Sequence, residues 1–167
     1  MKKHRLLFIC LGNICRSPMA EGAFRRVAEE EGVLDRFNID SAGLCDWHVG
    51  QAPDARAQAA AGRRGIDISR QSARQIGRAD FARFDLLLAM DETNVAELAR
   101  LSPKEHRAKV RKFLDFAPEA GTRDVPDPFF GGAEGFDHAL DLIEAASRGL
   151  FAALLEEGEM TGGKRRG

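Results

Sequence analysis

Cysteine is scarce in this chain of 167 residues, and the three present, Cys10, Cys15 and Cys45, are an odd number. The sequence therefore does not look like that of a small secreted protein held together by a disulfide framework. No apolar stretch approaches the roughly 18 residues that a membrane-spanning helix needs. The basic residues 1–5 precede an apolar run of only about five residues, which is too short for a secretory signal. We expect a cytoplasmic protein with reduced thiols and no membrane association.

Excess charge of either sign is also missing, because the formal net charge is −1. No global positive field would attract the chain to nucleic acid, so we expect no nucleic-acid partner. The four histidines and three cysteines lack the spacing of metal ligands. The sequence accordingly predicts no metal and no other cofactor.

The remaining composition is that of an ordinary globular domain, with 44% hydrophobic and 31% charged residues. We find neither an internal repeat nor a linker that would divide the chain. Residues 1–157 are therefore assigned to one domain, and residues 158–167 are predicted to form a flexible tail.

Strands alternate with helices along the chain. Short apolar runs predict strands at residues 6–10, 37–41, 86–89 and 110–116. Helical patterns cover residues 53–64, 95–101 and 136–154, and a further helix is expected to start with Ser17 as N-cap and Pro18 in its first position. Residues 117–133 read as a long ordered loop. This alternation predicts an α/β fold, a three-layer sandwich with a four-stranded parallel sheet flanked by helices, as in flavodoxin-like proteins.

Several polar residues follow predicted strands directly. They are Cys10, Asp46 with Trp47, Asp91, and the loop around Asp127. Ligands of parallel sheets bind beyond the carboxyl ends of the strands, so we expect these residues to share one edge. Asp91 itself is interpreted as a helix cap rather than a catalytic group.

The segment 10–18 reads Cys-Leu-Gly-Asn-Ile-Cys-Arg-Ser-Pro. Backbone amides of residues 11–16 can point inward, as in an anion-binding nest, and the following helix adds its positive end. Gly12 is expected to supply a positive φ, and Asn13 also tolerates left-handed geometry and can tie the loop down. The segment therefore predicts a phosphate-binding loop.

Arg16 offers a planar fork that matches two phosphate oxygens. Together with the loop amides it favours a thiolate at Cys10, and Ser17 can donate a hydrogen bond to that thiolate. The alternative is a buried cysteine at a strand end and an arginine on a helix surface. A bare Cys-x5-Arg pattern is common, but here Gly, Asn, Ser-Pro and a preceding strand accompany it. We interpret Cys10 as a nucleophile.

Asp127 lies between Pro126 and Pro128, which stiffen the backbone around its carboxyl group. Cleavage of a phosphate ester needs a proton for the departing oxygen, and Asp127 is the first candidate for this general acid and, afterwards, general base. The alternative is an aspartate that only forms a turn. Asp124 is the second candidate acid.

Residues 9–18 resemble the signature loop of the low-molecular-weight protein tyrosine phosphatases. Residues 46–50, 73–75, 90–94 and 127–131 resemble further recurring segments of that family, in the expected order. The resemblance covers nearly the whole chain. It implies metal-independent hydrolysis of phosphotyrosine through a cysteinyl-phosphate intermediate. It also implies a phosphotyrosine-containing protein as partner, with a bacterial tyrosine kinase as a candidate, and we expect a monomer.

The resemblance further implies that Trp47, Phe129 and Phe130 form aromatic walls around a flat ring, although by residue type alone they would be assigned to the core. The family often carries tyrosines where Phe129 and Phe130 stand, so regulation by their phosphorylation is absent here. The predicted substrate-binding residues are Leu11, Gly12, Asn13, Ile14, Cys15, Ser17, Trp47, Phe129 and Phe130.

In the resembled family a reversible disulfide between the counterparts of Cys10 and Cys15 protects the nucleophile. The alternative for Cys15 is a small apolar residue at a helix start, and the sequence leaves both open. The resemblance also implies that Ser41 helps to hold Asn13. Many members have a histidine near position 71, where this chain has Gln71.

Three other functions were considered. Arsenate reduction needs resolving cysteines downstream, and no cysteine follows Cys45. Protein arginine phosphatases carry threonine where this chain has the larger, apolar Ile14, which favours an aromatic ester. A phosphate-binding module without catalysis should lack Cys10 or Asp127, and both are present.

Overall fold

The computed structural model describes residues 3–162, and within residues 158–162 only the backbone. The strands are β1 (His4–Cys10), β2 (Phe37–Gly43), β3 (Leu86–Ala89) and β4 (Val110–Lys112). The helices are α1 (Arg16–Glu30), α2 (Ala55–Gly62), α3 (Arg78–Arg83), α4 (Glu92–Leu101) and α5 (Ala133–Gly162). The strands form one sheet in the order β2-β1-β3-β4, and every neighbouring pair is parallel. The predicted four-stranded α/β sandwich is confirmed.

Strand β1 is covered on both faces, which explains why its sequence is apolar without alternation. Leu6 and Phe8 lie in a large core with side chains of α1, α2 and α5. Leu7 and Ile9 lie in a smaller core on the opposite face, with α3 and α4. The central strand thus ends between two packed layers, and its carboxyl end is held rigidly.

The last strand is shorter than predicted. Residues 110–116 were expected to form a strand, but β4 ends at Lys112 and a 3₁₀ turn covers Phe113–Phe116. Phe113 and Leu114 are both buried in the larger core. Consecutive residues of a strand point to opposite faces, so a turn is required to bury both side chains on one side.

The helix starts also differ from the predictions. Helix α1 begins at Arg16 with Cys15 at its N-cap position and no side-chain cap, so the prediction of Ser17 as N-cap is wrong. The physical reason is that Ser17 bonds elsewhere, as described below. Helix α3, of six residues, was not predicted. Helix α2 begins after Asp54, whose side chain accepts a hydrogen bond from the amide of Arg56.

The end of the chain leaves one prediction open. The backbone of α5 is helical through Gly162. The predicted flexible tail, residues 158–167, stays a prediction because residues 163–167 lie outside the described part. Across residues 3–162, we find no helix with the length and apolar character to cross a membrane.

Candidate active site

The sulfur of Cys10 lies at the end of β1 and faces the first turn of α1. The backbone amides of Asn13 and Ser17 donate hydrogen bonds to Sγ at 3.3 and 3.4 Å. The hydroxyl oxygen of Ser17 lies 3.1 Å from the same atom. The helix start thus directs donors at the sulfur instead of at a capping side chain, an arrangement that favours an anion there.

Asn13 organises the loop through its side chain. Its amide nitrogen Nδ2 donates to Ser17 Oγ at 2.8 Å and to Ser41 Oγ at 3.0 Å, while its Oδ1 accepts from the backbone amide of Arg74 at 3.0 Å. Because Ser17 Oγ accepts from Asn13, its own hydroxyl proton can point towards Cys10. The expected contact between Ser41 and Asn13 is present.

Two glycines, Gly12 and Gly43, allow close approaches around the loop. The prediction for Gly12 is wrong, because the positive φ falls on Asn13, at 59°. A Cβ atom on Gly12 would lie 3.0 Å from the ring of His48. A Cβ atom on Gly43, at the end of β2, would lie 3.0 Å from the carbonyl oxygen of Leu11. This approach of Gly43 could not be read from the sequence, since the loop follows a different strand.

Arg16 is buried, with only 3% of its side chain exposed. Its Nη1 donates to Asp91 Oδ2 at 2.6 Å and to the carbonyl oxygen of Val125 at 2.9 Å, and its Nη2 lies 3.6 Å from Asp127 Oδ2. The alternative of an arginine on a helix surface is therefore excluded. The guanidinium is held from two sides in a fixed orientation.

Asp91 is the N-cap of α4, as predicted, since its Oδ1 accepts from the backbone amide of Asn94 at 2.8 Å. Its second oxygen accepts from Arg16, a contact that sequence reasoning missed. Burial alone would raise the pKa of Asp91, but hydrogen bonds from Arg16 and Thr93 outweigh burial and hold that pKa below its usual value. The sequence signal was an aspartate that follows a strand at the carboxyl edge of the sheet.

Asp127 lies on the same side of the sheet as Arg16. Its Oδ1 accepts from the backbone amide of Phe129 at 3.1 Å, so it does form a turn, while Oδ2 faces Arg16. A cavity of about 340 Å³ is lined in part by Arg16, Asp91 and Asp127. Asp124, the second candidate acid, is instead paired with Lys112 at 2.9 Å. Of the residues expected to share one edge, Asp91 and Asp127 meet at this cavity, where Arg16 joins them.

The three aromatic residues lie outside the core or at its margin. Trp47 is 69% exposed and Phe130 is 94% exposed, whereas Phe129 is partly buried. The rings of Phe129 and Phe130 meet edge to face, with centroids 4.9 Å apart. His48, which approaches Gly12, lies 6.5 Å from Phe129 between ring centroids. Exposed aromatic side chains close to the loop are available for contact with a ligand, although they do not line the cavity described above.

The other loop residues differ in exposure. Ile14 and Cys15 are buried, and Leu11 is exposed at the cavity. Burial, followed by the nearby carboxylate of Asp54, raises the pKa of the Cys15 thiol well above its usual value. All three cysteines are free thiols in the structure. Cys15 therefore packs as a small apolar residue here, and its pairing with Cys10 stays a prediction.

A buried carboxylate of α1, Glu21, completes the polar network and was missed by sequence reasoning. It accepts from Ser41 Oγ at 2.8 Å. Burial raises its pKa, and the hydrogen bond from Ser41 offsets part of that effect. Gln71 donates to the carbonyl oxygen of Pro18 at 3.0 Å and lies 3.5 Å from Ser41 Oγ. Within the described residues, no cluster of three or more His, Cys, Asp and Glu side chains could hold a metal ion.

Known proteins match this chain over most of its length. Residues 5–160 match the family model described as low molecular weight phosphotyrosine protein phosphatase. A low molecular weight protein-tyrosine-phosphatase of Streptomyces coelicolor is 43% identical over 159 residues, which cover 93% of this chain and 96% of that protein.

Solved structures match as well. A protein tyrosine phosphatase from Entamoeba histolytica is similar with a TM-score of 0.90 and 38% identity, covering 94% of this chain and 99% of that chain. Wzb of Vibrio vulnificus, solved in complex with benzylphosphonate, gives a TM-score of 0.78 and 28% identity, covering 89% of this chain and 97% of that chain.

Proposed function

The chain belongs to the low molecular weight phosphotyrosine protein phosphatase family, and we propose that it hydrolyses phosphotyrosine in proteins with Cys10 as the nucleophile. One observation carries the assignment of roles. The sulfur of Cys10 accepts hydrogen bonds from two backbone amides and faces the hydroxyl group of Ser17. The same loop contains the buried guanidinium of Arg16. A thiolate and a phosphate dianion repel each other, and these donors offset the charge of both.

In the first step the Cys10 thiolate attacks phosphorus. A sulfur–phosphorus bond forms while the bond from phosphorus to the tyrosine oxygen breaks. Arg16 binds two of the phosphate oxygens through its planar fork, and the loop amides bind the others. Asp127, in its protonated form, gives its proton to the departing phenol oxygen. The products of this step are tyrosine and a cysteinyl phosphate.

In the second step water attacks the cysteinyl phosphate. The Asp127 carboxylate accepts a proton from the water as the oxygen–phosphorus bond forms. The sulfur–phosphorus bond breaks, and Cys10 leaves as a thiolate that the Ser17 hydroxyl stabilises. Inorganic phosphate departs, and Asp127 is again protonated for the next cycle.

The substrate is proposed to be an aryl phosphate on a protein. The exposed rings of Trp47 and Phe130 and the partly buried ring of Phe129 offer apolar surface for a flat ring. The benzylphosphonate bound by Wzb of Vibrio vulnificus is a phosphonate with an aromatic ring, which supports the same class for this chain. The natural substrate would then be a protein phosphorylated by a tyrosine kinase. The enzyme would act on it as a monomer in the cytoplasm.

Hydrolysis of p-nitrophenyl phosphate in EDTA tests the roles of Cys10 and Asp127. We expect Cys10→Ser to abolish turnover, because the hydroxyl is a far weaker nucleophile than a thiolate. Asp127→Asn should lower kcat/KM for phosphotyrosine peptides by about 10²–10⁴, the usual contribution of a general acid. Asp137→Asn, at an exposed carboxylate on α5, is the matched control and should keep full activity.

Two results would contradict the proposal. If the wild-type protein binds phosphate but hydrolyses no substrate, the chain is a phosphate-binding module and not an enzyme. Preference for phosphoarginine over phosphotyrosine peptides would assign the loop to phosphoramidates, in which a phosphorus–nitrogen bond breaks, instead of to aryl phosphate esters.

A further inference from the structure

Lys112, the last residue of β4, is a buried cation outside the catalytic loop. Only 9% of its side chain is exposed, and its Nζ lies 2.9 Å from both Glu92 Oε1 and Asp124 Oδ1. A buried ammonium group is costly unless it is paired, so both carboxylates stabilise it. Glu92 first, and then Asp124, raise the pKa of Lys112, which keeps the group charged.

The two carboxylates stand next to the residues that hold Arg16. Glu92 follows Asp91 in the sequence, and Asp124 precedes Val125, whose carbonyl oxygen accepts from Arg16. Two cations, one in the catalytic loop and one at the end of β4, therefore join the same two segments. Together they close a ring of contacts, the anchoring ring, made of Arg16, Asp91, Glu92, Lys112, Asp124 and Val125.

The anchoring ring includes the segment that leads directly into Asp127. Val125 is fully buried, and its amide donates to the carbonyl oxygen of Met90 at 2.8 Å. Only Pro126 separates Val125 from Asp127, and a proline ring leaves φ no freedom at that position. Asp127 itself is partly exposed and has its closest cation 3.6 Å away. Its carboxyl group therefore takes its position from the backbone on both sides, through the segment before it and the amide of Phe129 after it.

We infer that Lys112 is a positioning residue for the general acid, because it fixes Asp124 against the start of α4 and thereby places Asp127 at the departing oxygen. This inference rests on the proposed function. Lys112 touches no reacting atom. Its loss should therefore weaken the part of the reaction that needs a proton from Asp127 and leave phosphate binding by the loop unchanged.

A comparison of leaving groups tests the inference. The anion of an acidic phenol, such as 2,4-dinitrophenol, departs without a proton, whereas the tyrosine oxygen needs one. Lys112→Met should lower kcat/KM for a phosphotyrosine peptide by about tenfold, since small misplacements of a catalytic group carry costs of this order. The same variant should change kcat/KM for 2,4-dinitrophenyl phosphate by less than about twofold, because the acid contributes little there. Lys112→Arg should restore most of the activity.

Two further variants make the result decisive. Asp124→Ala removes the same contact from its more exposed side and should show the same discrimination, so it decides the question if Lys112→Met fails to fold. Arg123→Ala is the matched control, because it removes a neighbouring surface ion pair with Asp115. Its kcat/KM should equal that of the wild type for both substrates.

The outcomes separate the inference from the proposed function. Equal losses on both substrates, or no loss in Lys112→Met and Asp124→Ala, would overturn the positioning role. Asp127→Asn measured in the same assay shows the full effect of a missing acid. If that variant does not discriminate between the two leaving groups, the acid role of Asp127 fails, and the role of Lys112 fails with it.

Discussion

At the scale of single residues, Asp91 connects Arg16 to a helix. One oxygen caps α4 and the other accepts from Arg16 at 2.6 Å. A buried arginine needs a partner, because an unpaired buried charge is costly. Asp91 supplies that partner from a rigid element, so the guanidinium of Arg16 is held in one orientation.

Asp91→Asn isolates the charge, since asparagine remains a good helix cap. We expect the free energy of unfolding near neutral pH to fall by about 1.5–3 kcal/mol, the range for hydrogen bonds to charged groups. The pKa of Asp91 is lowered from 3.8 in the folded chain, so the unfolded chain binds more protons near that pH. The stabilisation is therefore present above 3.8 and is lost as the pH falls through the folded value.

Urea unfolding near pH 7 and near pH 3 measures this difference. The gap between wild type and Asp91→Asn should be largest near neutrality and shrink in acid. Asp137→Asn, which removes an exposed surface pair, should change stability by less than about 0.5 kcal/mol. A gap of the same size at both pH values would argue against the charge as its source.

At the scale of secondary-structure elements, α5 packs closely on the turn that ends β4. Gly149 is the point of closest approach, because a Cβ atom there would lie 1.8 Å from the carbonyl oxygen of Phe116. The obstacle is backbone, which cannot rotate away as a side chain can. Glycine normally weakens a helix, and here its lack of a side chain brings α5 against the 3₁₀ turn Phe113–Phe116.

Gly149→Ala should therefore destabilise the protein, although alanine is the better helix former by about 1 kcal/mol. Overpacking of this kind costs about 1–3 kcal/mol or more, because α5 and the turn must separate. Gly135→Ala is the matched control within α5, since the nearest atom to its Cβ would lie at an ordinary 3.6 Å. Thermal unfolding of both variants gives the comparison. If Gly149→Ala is as stable as the wild type, α5 and the turn can separate without a loss of free energy.

At the scale of the whole molecule, the two cores hold the carboxyl edge of the sheet in position. The larger core includes Phe8 of β1, and the smaller one includes Ile9 of the same strand. The loop that follows Cys10 is therefore supported from both faces. An anion that binds only this folded arrangement must stabilise the entire molecule by mass action.

Inorganic phosphate should accordingly raise the unfolding temperature. At a concentration about 100 times its Kd the stabilisation is about 2.7 kcal/mol. For a chain of this size that corresponds to a rise of about 5–10 °C. Arg16→Lys should reduce the rise, because lysine cannot form a bidentate fork with phosphate. A chloride solution of equal ionic strength is the control, and an equal rise in chloride would exclude specific binding.

Features that depend on neighbours in the chain were predictable from the sequence. The strand at residues 86–89 was predicted with its observed bounds, because a short apolar run in a parallel sheet is buried on both faces. The loop after Cys10 was identified because its glycine, asparagine, arginine and serine act within a few residues of one another. The family and the order of its segments followed from the same local patterns.

The tertiary structure decided what depends on distant residues. It determined that Arg16 pairs with Asp91, that Lys112 pairs with Asp124, and that β4 ends before Phe113. A side chain's partner is the residue that packing brings within about 3 Å, the range of a hydrogen bond, and its type alone does not reveal that neighbour. The sequence by itself therefore determined which chemical groups this protein brings to its site, and folding determined which of them hold the others in place.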